Sequence, residues 1–368
     1  MNFRKSMSLA AAVGLCLSMA STASAQNYTF LDLGQVTANA LNDLGQVAGV
    51  ISSESSAQAF YTGANGIGIN MLAAMPTVGN SWAFGINNSG QVVGDYSTSS
   101  GTHGFVTGAG GQGVTDVVYP NANDTTLTGI NASGQTVGRT SNQAITSGPN
   151  GAGWQTLNIP SSMLLSTGRA INANGQVLGI ASDMSSEMAF TTFITGPNGQ
   201  GYNQVGSLAG IPLEGAALNN HGDVVGQSYS DTGVFAFFAD ASDGTVTNLG
   251  ALGDGTFSQA LAINDQGTIV GASTENTSWW GTSAFIIGGK GQDMIKLSTL
   301  VIGFEGSFTE AVAINNAGQI LVRDGLHSYL LTPTAIPETQ TSAMLMLGFL
   351  GMAWATGRRV KTAPTAQA

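Results

Sequence analysis

Seven copies of one phrase, an even spacing of those copies, and a composition rich in Gly and poor in charge predict an all-β fold: a seven-bladed β-propeller of four-stranded blades. The phrase is an apolar residue, Asn, two turn-forming residues, Gly, then usually Gln and an apolar pair. Its asparagines are Asn42, Asn87, Asn131, Asn172, Asn219, Asn264 and Asn315, spaced by 45, 44, 41, 47, 45 and 51 residues. A unit of that length cannot bury its own apolar face, so neighbouring copies must supply the core. With 52 Gly in 368 residues, 8% charged side chains and 42% apolar ones, the chain suits many short strands joined by tight turns.

In order along the chain, the first 25 residues read as a secretory signal. Arg4 and Lys5 precede an apolar run from Leu9 to Met19, and Ala23-Ser24-Ala25 offers a small-residue cleavage site. The mature chain is expected to begin at Gln26. Val13-Gly14-Leu15-Cys16 superficially suggests a lipoprotein box, but Leu15 is too large for the position before the cysteine. Cys16 is the single cysteine and leaves with the signal, so no disulfide or thiol chemistry is expected in the mature protein.

Within each copy, Asn at the first and Gly at the fourth turn position fit a type I turn with a positive-φ Gly, so the phrase is a hairpin between a first and a second strand. The Asn side chain can accept from backbone two residues on, which makes it a turn residue rather than a ligand contact. A third apolar segment follows, as in Gln58-Ala59-Phe60, His103-Gly104-Phe105, Met188-Ala189-Phe190 and Ser283-Ala284-Phe285. Five Gly-rich turns then lead to a fourth strand. The last copy reaches Pro333 with no fourth strand of its own, while Tyr28 to Gly34 has a strand and no blade. The N-terminal strand is therefore expected to complete the last blade and close the ring without free edges. The alternative architecture is a β-solenoid.

The repeat also resembles the HAF-type extracellular repeats of bacterial secreted proteins, with His103-Gly104-Phe105 and His327-Ser328-Tyr329 at the His-Ala-Phe position. The likeness covers roughly residues 30 to 331 and implies an exported repeat protein without an assigned reaction. From residue 335 to 368 a tail carries Ile336-Pro337-Glu338, an apolar stretch from Ala343 to Trp354, then Arg358-Arg359 and Lys361. This order resembles the PEP-CTERM sorting tail of Gram-negative bacteria. Pro337 and Glu338 would be its sorting motif, with Arg358 and Arg359 as the basic anchor after a short transmembrane helix. The resemblance implies signal peptidase and an exosortase-like sorting enzyme as partners, and a cell-surface or extracellular destination after transient membrane anchoring. An ordinary C-terminal membrane anchor is the alternative.

Charge excludes one class of partner. Between Gln26 and Ala335 the basic residues are Arg139, Arg169, Lys290, Lys296 and Arg323, whereas all 21 carboxylates except Glu338 lie there. So acidic a surface repels nucleic acid.

Candidate chemistry is sparse. Gly108-Ala109-Gly110-Gly111-Gln112-Gly113 imitates a phosphate loop but opens no helix. Asp240-Ala241-Ser242-Asp243-Gly244 lacks the later acidic ligand of a calcium loop. His103, His221 and His327 fall in different blades, with no metal spacing or nucleophile–base pairing, so neither cofactor nor metal is expected. The sixth blade has the longest loop between second and third strands, Ala272 to Ser283. There Trp279 and Trp280 could stack on sugar rings, with Glu275 and Asn276 hydrogen bonding. Trp82, Asp124, Glu214 and Asp254 are expected in blade-connecting segments of the same face. Two functions compete: a non-enzymatic surface or matrix protein binding extracellular polysaccharide or another envelope component, and a propeller hydrolase or lyase. The second requires clustered carboxylates.

Overall fold

The computed structural model describes residues 26–72, 79–120, 122–185, 190–278, 281–289 and 292–334. They form seven four-stranded antiparallel sheets, six of them in sequence order and the seventh completed by the N-terminal strand, which is a seven-bladed β-propeller. Blade 2 shows the unit: Ser81–Ile86, Val92–Thr98, Gly101–Thr107 and Val114–Val117, each paired to the next. In blades 3, 4 and 6 the fourth strand is only two residues long: Gln155–Thr156, Asn203–Gln204 and Ile295–Lys296. The segments expected to act as signal and sorting tail, with Pro337, Glu338, Arg358 and Arg359, lie outside the described residues.

Ring closure follows the expected offset. Tyr28–Asp32 pairs antiparallel with Ser328–Pro333, in register from Tyr28 opposite Pro333 to Asp32 opposite Tyr329. The seventh sheet thus takes its outermost strand from the N-terminus and its other three from Glu310 onward. The solenoid alternative is set aside, because the strands form closed-ring blades rather than stacked coils.

Packing between blades explains the residues of the phrase. The core of one interface joins Ala48, Ala59 and Leu72 of blade 1 to Ala83, Tyr96 and Phe105 of blade 2. In six blades the second strand places a Gly opposite a fully buried residue of the third: Gly49–Phe60, Gly94–Phe105, Gly138–Ile145, Gly179–Phe193, Gly226–Phe237 and Gly271–Phe285. A Cβ at Gly94 would stand 1.9 Å from the Trp82 carbonyl oxygen and 2.9 Å from the Phe105 ring. The glycine is needed because first-strand backbone and aromatic ring both occupy that space.

This pairing corrects one alignment. Phe193, not Phe190, holds the buried aromatic position of blade 4, in the strand Phe190–Ile194. Phe190 is half-buried and stacks edge-on against Tyr229. Met188-Ala189-Phe190 matched the pattern by composition, whereas register against Gly179 selects the residue three positions later.

Candidate functional site at the central channel

At one mouth of the channel the seven hairpin turns meet. Each turn has the expected form: Gly90 N–H donates to the Asn87 carbonyl at 2.9 Å, Asn87 N–H to the Gln91 carbonyl at 3.0 Å, and Gly90 has φ +72°. The Asn87 Oδ1 accepts from Ser89 and Gln91 N–H, both at 3.0 Å, satisfying the turn as an Asx turn does.

The asparagines do more than shape their own turns. Each Nδ2 donates to the backbone carbonyl of the asparagine one blade on: Asn42 to Asn87, Asn87 to Asn131, Asn131 to Asn172, Asn172 to Asn219, Asn219 to Asn264, Asn264 to Asn315, and Asn315 back to Asn42. The distances run from 2.8 Å, for Asn42 to Asn87, to 3.4 Å, for Asn219 to Asn264. All seven side chains are buried. In five blades the other Nδ2 hydrogen goes to the Gln four residues on, as from Asn87 to Gln91 Oε1 at 2.8 Å, which accounts for the recurrent Gln; Asn219 donates to Asp223 Oδ2 at 2.9 Å instead.

The residues following these asparagines form an outer tier, exposed in every blade but the sixth, where Asp265 is half-buried. In five blades its backbone N–H donates to a side-chain oxygen of the next blade: Asp43 to Asn88, Ala173 to Asn220, Asn220 to Asp265, Asp265 to Asn316, and Asn316 to Asp43, at 2.8–3.0 Å. In the other two the next blade presents Ala132 and Ala173, so among the described residues the N–H groups of Asn88 and Ala132 meet no protein oxygen. Both tiers line a cavity of about 280 Å³, floored by apolar side chains such as Ile86, Ile130 and Ile171.

Toward the opposite mouth, each first strand carries a bulge, and charge gathers beside it. Arg169 sits at the bulge of blade 4, and its Nη2 reaches Glu214 Oε1 at 2.8 Å in blade 5. Gln227 and Tyr229 donate to the other oxygen of Glu214 at 2.9 and 3.0 Å. Burial pushes the Glu214 pKa up, but Gln227, Arg169 and Tyr229 together overcome it and hold the carboxyl below its ordinary value. Arg323 pairs with Glu310 at 2.8 Å and also donates to the Ala38 carbonyl and Asn39 Oδ1, tying blade 7 to blade 1. Arg139 is exposed beside buried Asp95, which Thr126 also contacts at 2.9 Å. Burial raises the Asp95 pKa, against the opposing pull of Thr126 and Arg139.

The residues anticipated as ligand contacts are dispersed. Trp279 and Trp280 lie outside the described residues. Glu275 accepts from Ser283 Oγ and Lys296 Nζ, both at 2.6 Å, contacts that lower its pKa. Asn276 Oδ1 accepts from the Ser278 N–H. Trp82 and Glu214 were expected in connectors, but they lie in the first strands Ser81–Ile86 and Leu213–Leu218. Those strands begin before the apolar residues that mark the phrase, because the bulge extends the pairing. Asp124 accepts from the Thr102 N–H at 3.0 Å, and the Asp254 N–H lies 3.3 Å from the Glu275 carbonyl. The Gly-rich string at Gly108 is a turn between third and fourth strands, folded so that Gly111 N–H donates to the Gly90 carbonyl at 2.8 Å. Asp240 and Asp243 accept from Ser242 and Thr245 within their own turn. Among the described residues no three His, Cys, Asp or Glu side chains converge as a metal set.

One constellation escaped the sequence. Ser100 Oγ lies 3.3 Å from His103 Nε2, and His103 Nδ1 lies 3.1 Å from Asp116 Oδ1, which also accepts from Tyr96 at 2.8 Å. The expectation of no nucleophile–base pairing is corrected here, since strand pairing brings Asp116 beside His103. The His–Asp part recurs in blade 7, where His327 Nδ1 meets Asp32 Oδ2 at 2.9 Å. It links third to fourth strand at the segment that resembles His-Ala-Phe, and spacing around each histidine was the available signal.

No family model and no curated protein matches the chain. Solved structures do. YCF48 bound to D1 peptide aligns over 84% of this chain and 96% of its own, with 15% identity and a TM-score of 0.56. Oligogalacturonate lyase from Vibrio parahaemolyticus aligns over 86% and 92%, with 10% identity and a TM-score of 0.53. Streptogramin B lyase aligns over 84% and 98%, with 9% identity and a TM-score of 0.52. At such identities the likeness is one of fold, and that fold serves peptide binding and lyase chemistry alike.

Proposed function

We propose that the chain is an exported, non-enzymatic propeller that binds a polysaccharide of the cell surface or matrix. The observation that carries this reading is the separate engagement of the carboxylates. Asp124, Glu214 and Asp254 occupy different parts of the ring, each with its own partners, and Glu214 is held ionised by three donors. Glycoside hydrolysis needs two carboxyl groups about 5–10 Å apart, one of them with a raised pKa. A channel mouth lined by seven asparagines and further carboxamides suits hydroxyl-rich ligands. The signal sequence and PEP-CTERM-like tail support export through signal peptidase and an exosortase-like enzyme.

The test has two arms. Full-length protein is expressed in its native envelope, with and without Pro337-Glu338 replaced by Ala-Ala, and followed by intact mass and fractionation. Loss of signal and tail in the wild type, with the tail retained in the variant, is the expected result; an intact tail in both rejects the sorting reading. Purified protein is then sedimented with extracellular polysaccharide from the same cells. Co-sedimentation without shortening of the polymer is expected, and depolymerisation rejects the non-enzymatic assignment.

The hydrolase reading has one observation in its favour, the Ser100–His103–Asp116 line. There His103 would take the Ser100 proton as the hydroxyl attacked an ester carbonyl. Recurrence of the His–Asp pair in blade 7 and the surface position of Ser100 favour a strand-linking role. A fluorophosphonate probe decides between them: covalent labelling lost in Ser100→Ala supports the hydrolase, and no labelling rejects it.

A further inference from the structure

The longest connector between blades leads into blade 7. It runs from 297 to 309, where the connector into blade 6 needs only 249 to 257, and it is one source of the 51-residue spacing before Asn315. Its Ile302 N–H donates to the Tyr28 carbonyl at 2.9 Å, so the connector lies along the closing strand. Phe304 thereby meets Phe30 edge-on, with ring centroids 5.3 Å apart and planes at 75°. Phe308 stacks on Phe304 at 4.1 Å, and Tyr329 stands 5.5 Å from each of them and 6.1 Å from Phe30. Phe308 and Tyr329 are buried, Phe304 is half-buried and Phe30 is 38% exposed. The outer two rings therefore form a shelf on the rim of blade 7, held in place by the inner two. Asp32 shares a strand face with Phe30, about 7 Å further along. His327 Nδ1 lies 2.9 Å from Asp32 Oδ2. A carboxylate only accepts, so Nδ1 carries the proton and Nε2 is left for an outside partner.

We propose that this shelf is a second contact for the polysaccharide, on which an uncharged pyranose residue stacks. The inference rests on the glycan-binding reading and adds a site and a ligand class to it. The apolar C–H face of the sugar covers Phe30 and Phe304, and a ring hydroxyl donates to His327 Nε2, one strand step away. Three observations select this occupant. Aromatic rings with a polar group at their edge match a ligand that is apolar on its face and polar around its rim. Asp32, Asp324 and Glu305 surround the shelf, while Arg323, the basic residue nearest in the chain, is committed to Glu310 and Asn39. Those carboxylates repel a uronate, a sulfated sugar or an anionic lipid surface. In a second copy of this chain docked about a two-fold axis, the same carboxylates would meet themselves, which disfavours a dimer through this face. Rings already fixed by Phe308 and Tyr329 lose little freedom on binding, so stacking is not offset by ordering the shelf.

The test uses protein purified from its native envelope and the extracellular polysaccharide of the same cells, with polygalacturonate as an anionic comparison. Bound polysaccharide is expected to shield the Phe30 and Phe304 rings of the wild type from hydroxyl-radical oxidation, read by mass spectrometry and so independent of any variant's folding. The double variant Phe30→Leu, Phe304→Leu keeps apolar side chains on the shelf but removes its rings. It is expected to weaken co-sedimentation about tenfold. Phe190→Leu removes a ring from the comparable edge-on pair with Tyr229 in blade 4 and is expected to leave binding unchanged. No shielding of Phe30 and Phe304, undiminished binding by the folded double variant, tighter binding of polygalacturonate, or a dimer that the double variant dissociates overturns the proposal. Any of these with wild-type co-sedimentation intact rejects only the shelf. Absence of co-sedimentation by the wild type rejects glycan binding as well.

Discussion

Asn315 and Asn42 are 273 residues apart, yet the side-chain amide of Asn315 donates to the Asn42 carbonyl at 2.9 Å, closing a ring of seven identical contacts. Six of the asparagines satisfy two N–H groups of their own turn and Asn315 satisfies one, and each of the seven donates to a carbonyl of the next blade. Local turn chemistry and global closure are thereby carried by the same side chain, which leaves little freedom at the position.

Separating the two roles requires two substitutions. In Asn131→Asp both turn N–H groups keep their acceptor, but a carboxylate oxygen faces the Asn172 carbonyl in place of a donor. In Asn131→Ala the turn bonds are lost as well. Each is expected to destabilise by about 2–4 kcal/mol in denaturant unfolding, from buried polar groups left unpaired or opposed. An Asp variant as stable as wild type at pH 7 would show that the inter-blade contact contributes nothing.

Removal of residues 26–33 takes away Tyr28–Asp32 and exposes the edge of Ser328–Pro333. It also uncovers Phe308 and Tyr329, which pack with Tyr28 in the last interface. The truncated chain is expected to aggregate or to pair edge to edge, visible in size-exclusion chromatography with light scattering. A monomer with unchanged melting temperature would remove strand closure as a source of stability.

Acid should destabilise the protein through its paired carboxylates. Glu214, Glu275 and Asp324 have lowered pKa values in the folded state. Their stabilisation is complete above the unfolded values, about 3.9–4.3, and is lost as pH falls through the folded ones. The melting temperature should therefore drop on titration from pH 5 to 3, and less so in Glu214→Gln.

Asp95 has the opposite sign. Its raised pKa means that the charged form is penalised in the folded protein, a cost present at neutral pH and relieved as pH falls. Asp95→Asn keeps an acceptor for Thr126 and is expected to melt about 1–3 °C higher than wild type at pH 7. That advantage should vanish near pH 3.5. A lower melting temperature at pH 7 would assign the Asp95 charge a stabilising role.

Gly94→Ala places a Cβ 1.9 Å from the Trp82 carbonyl oxygen, so the first and second strands of blade 2 must part. A cost of about 3 kcal/mol or more is expected in denaturant unfolding. An effect near the usual Gly-to-Ala gain would mean that the strands yield easily.

Periodicity and turn chemistry were enough to read seven hairpins, the blade size and the orphan N-terminal strand that closes the ring. These follow from local rules: Asn and Gly at fixed offsets set the turn, and a 45-residue unit must share its core. The Gly–Phe pairing across second and third strands was not legible, because blade 4 offers Phe190 and Phe193 within four residues and only register selects the second. The site was less legible still. Each asparagine has a turn role that explains it fully from sequence, so nothing announced that its second hydrogen bonds the next blade. Likewise Ala132 and Ala173 are unremarkable residues in a row of letters. They acquire meaning only where five neighbours around a closed ring present an oxygen at the same place, since contacts between residues some 45 positions apart exist only after the ring has closed.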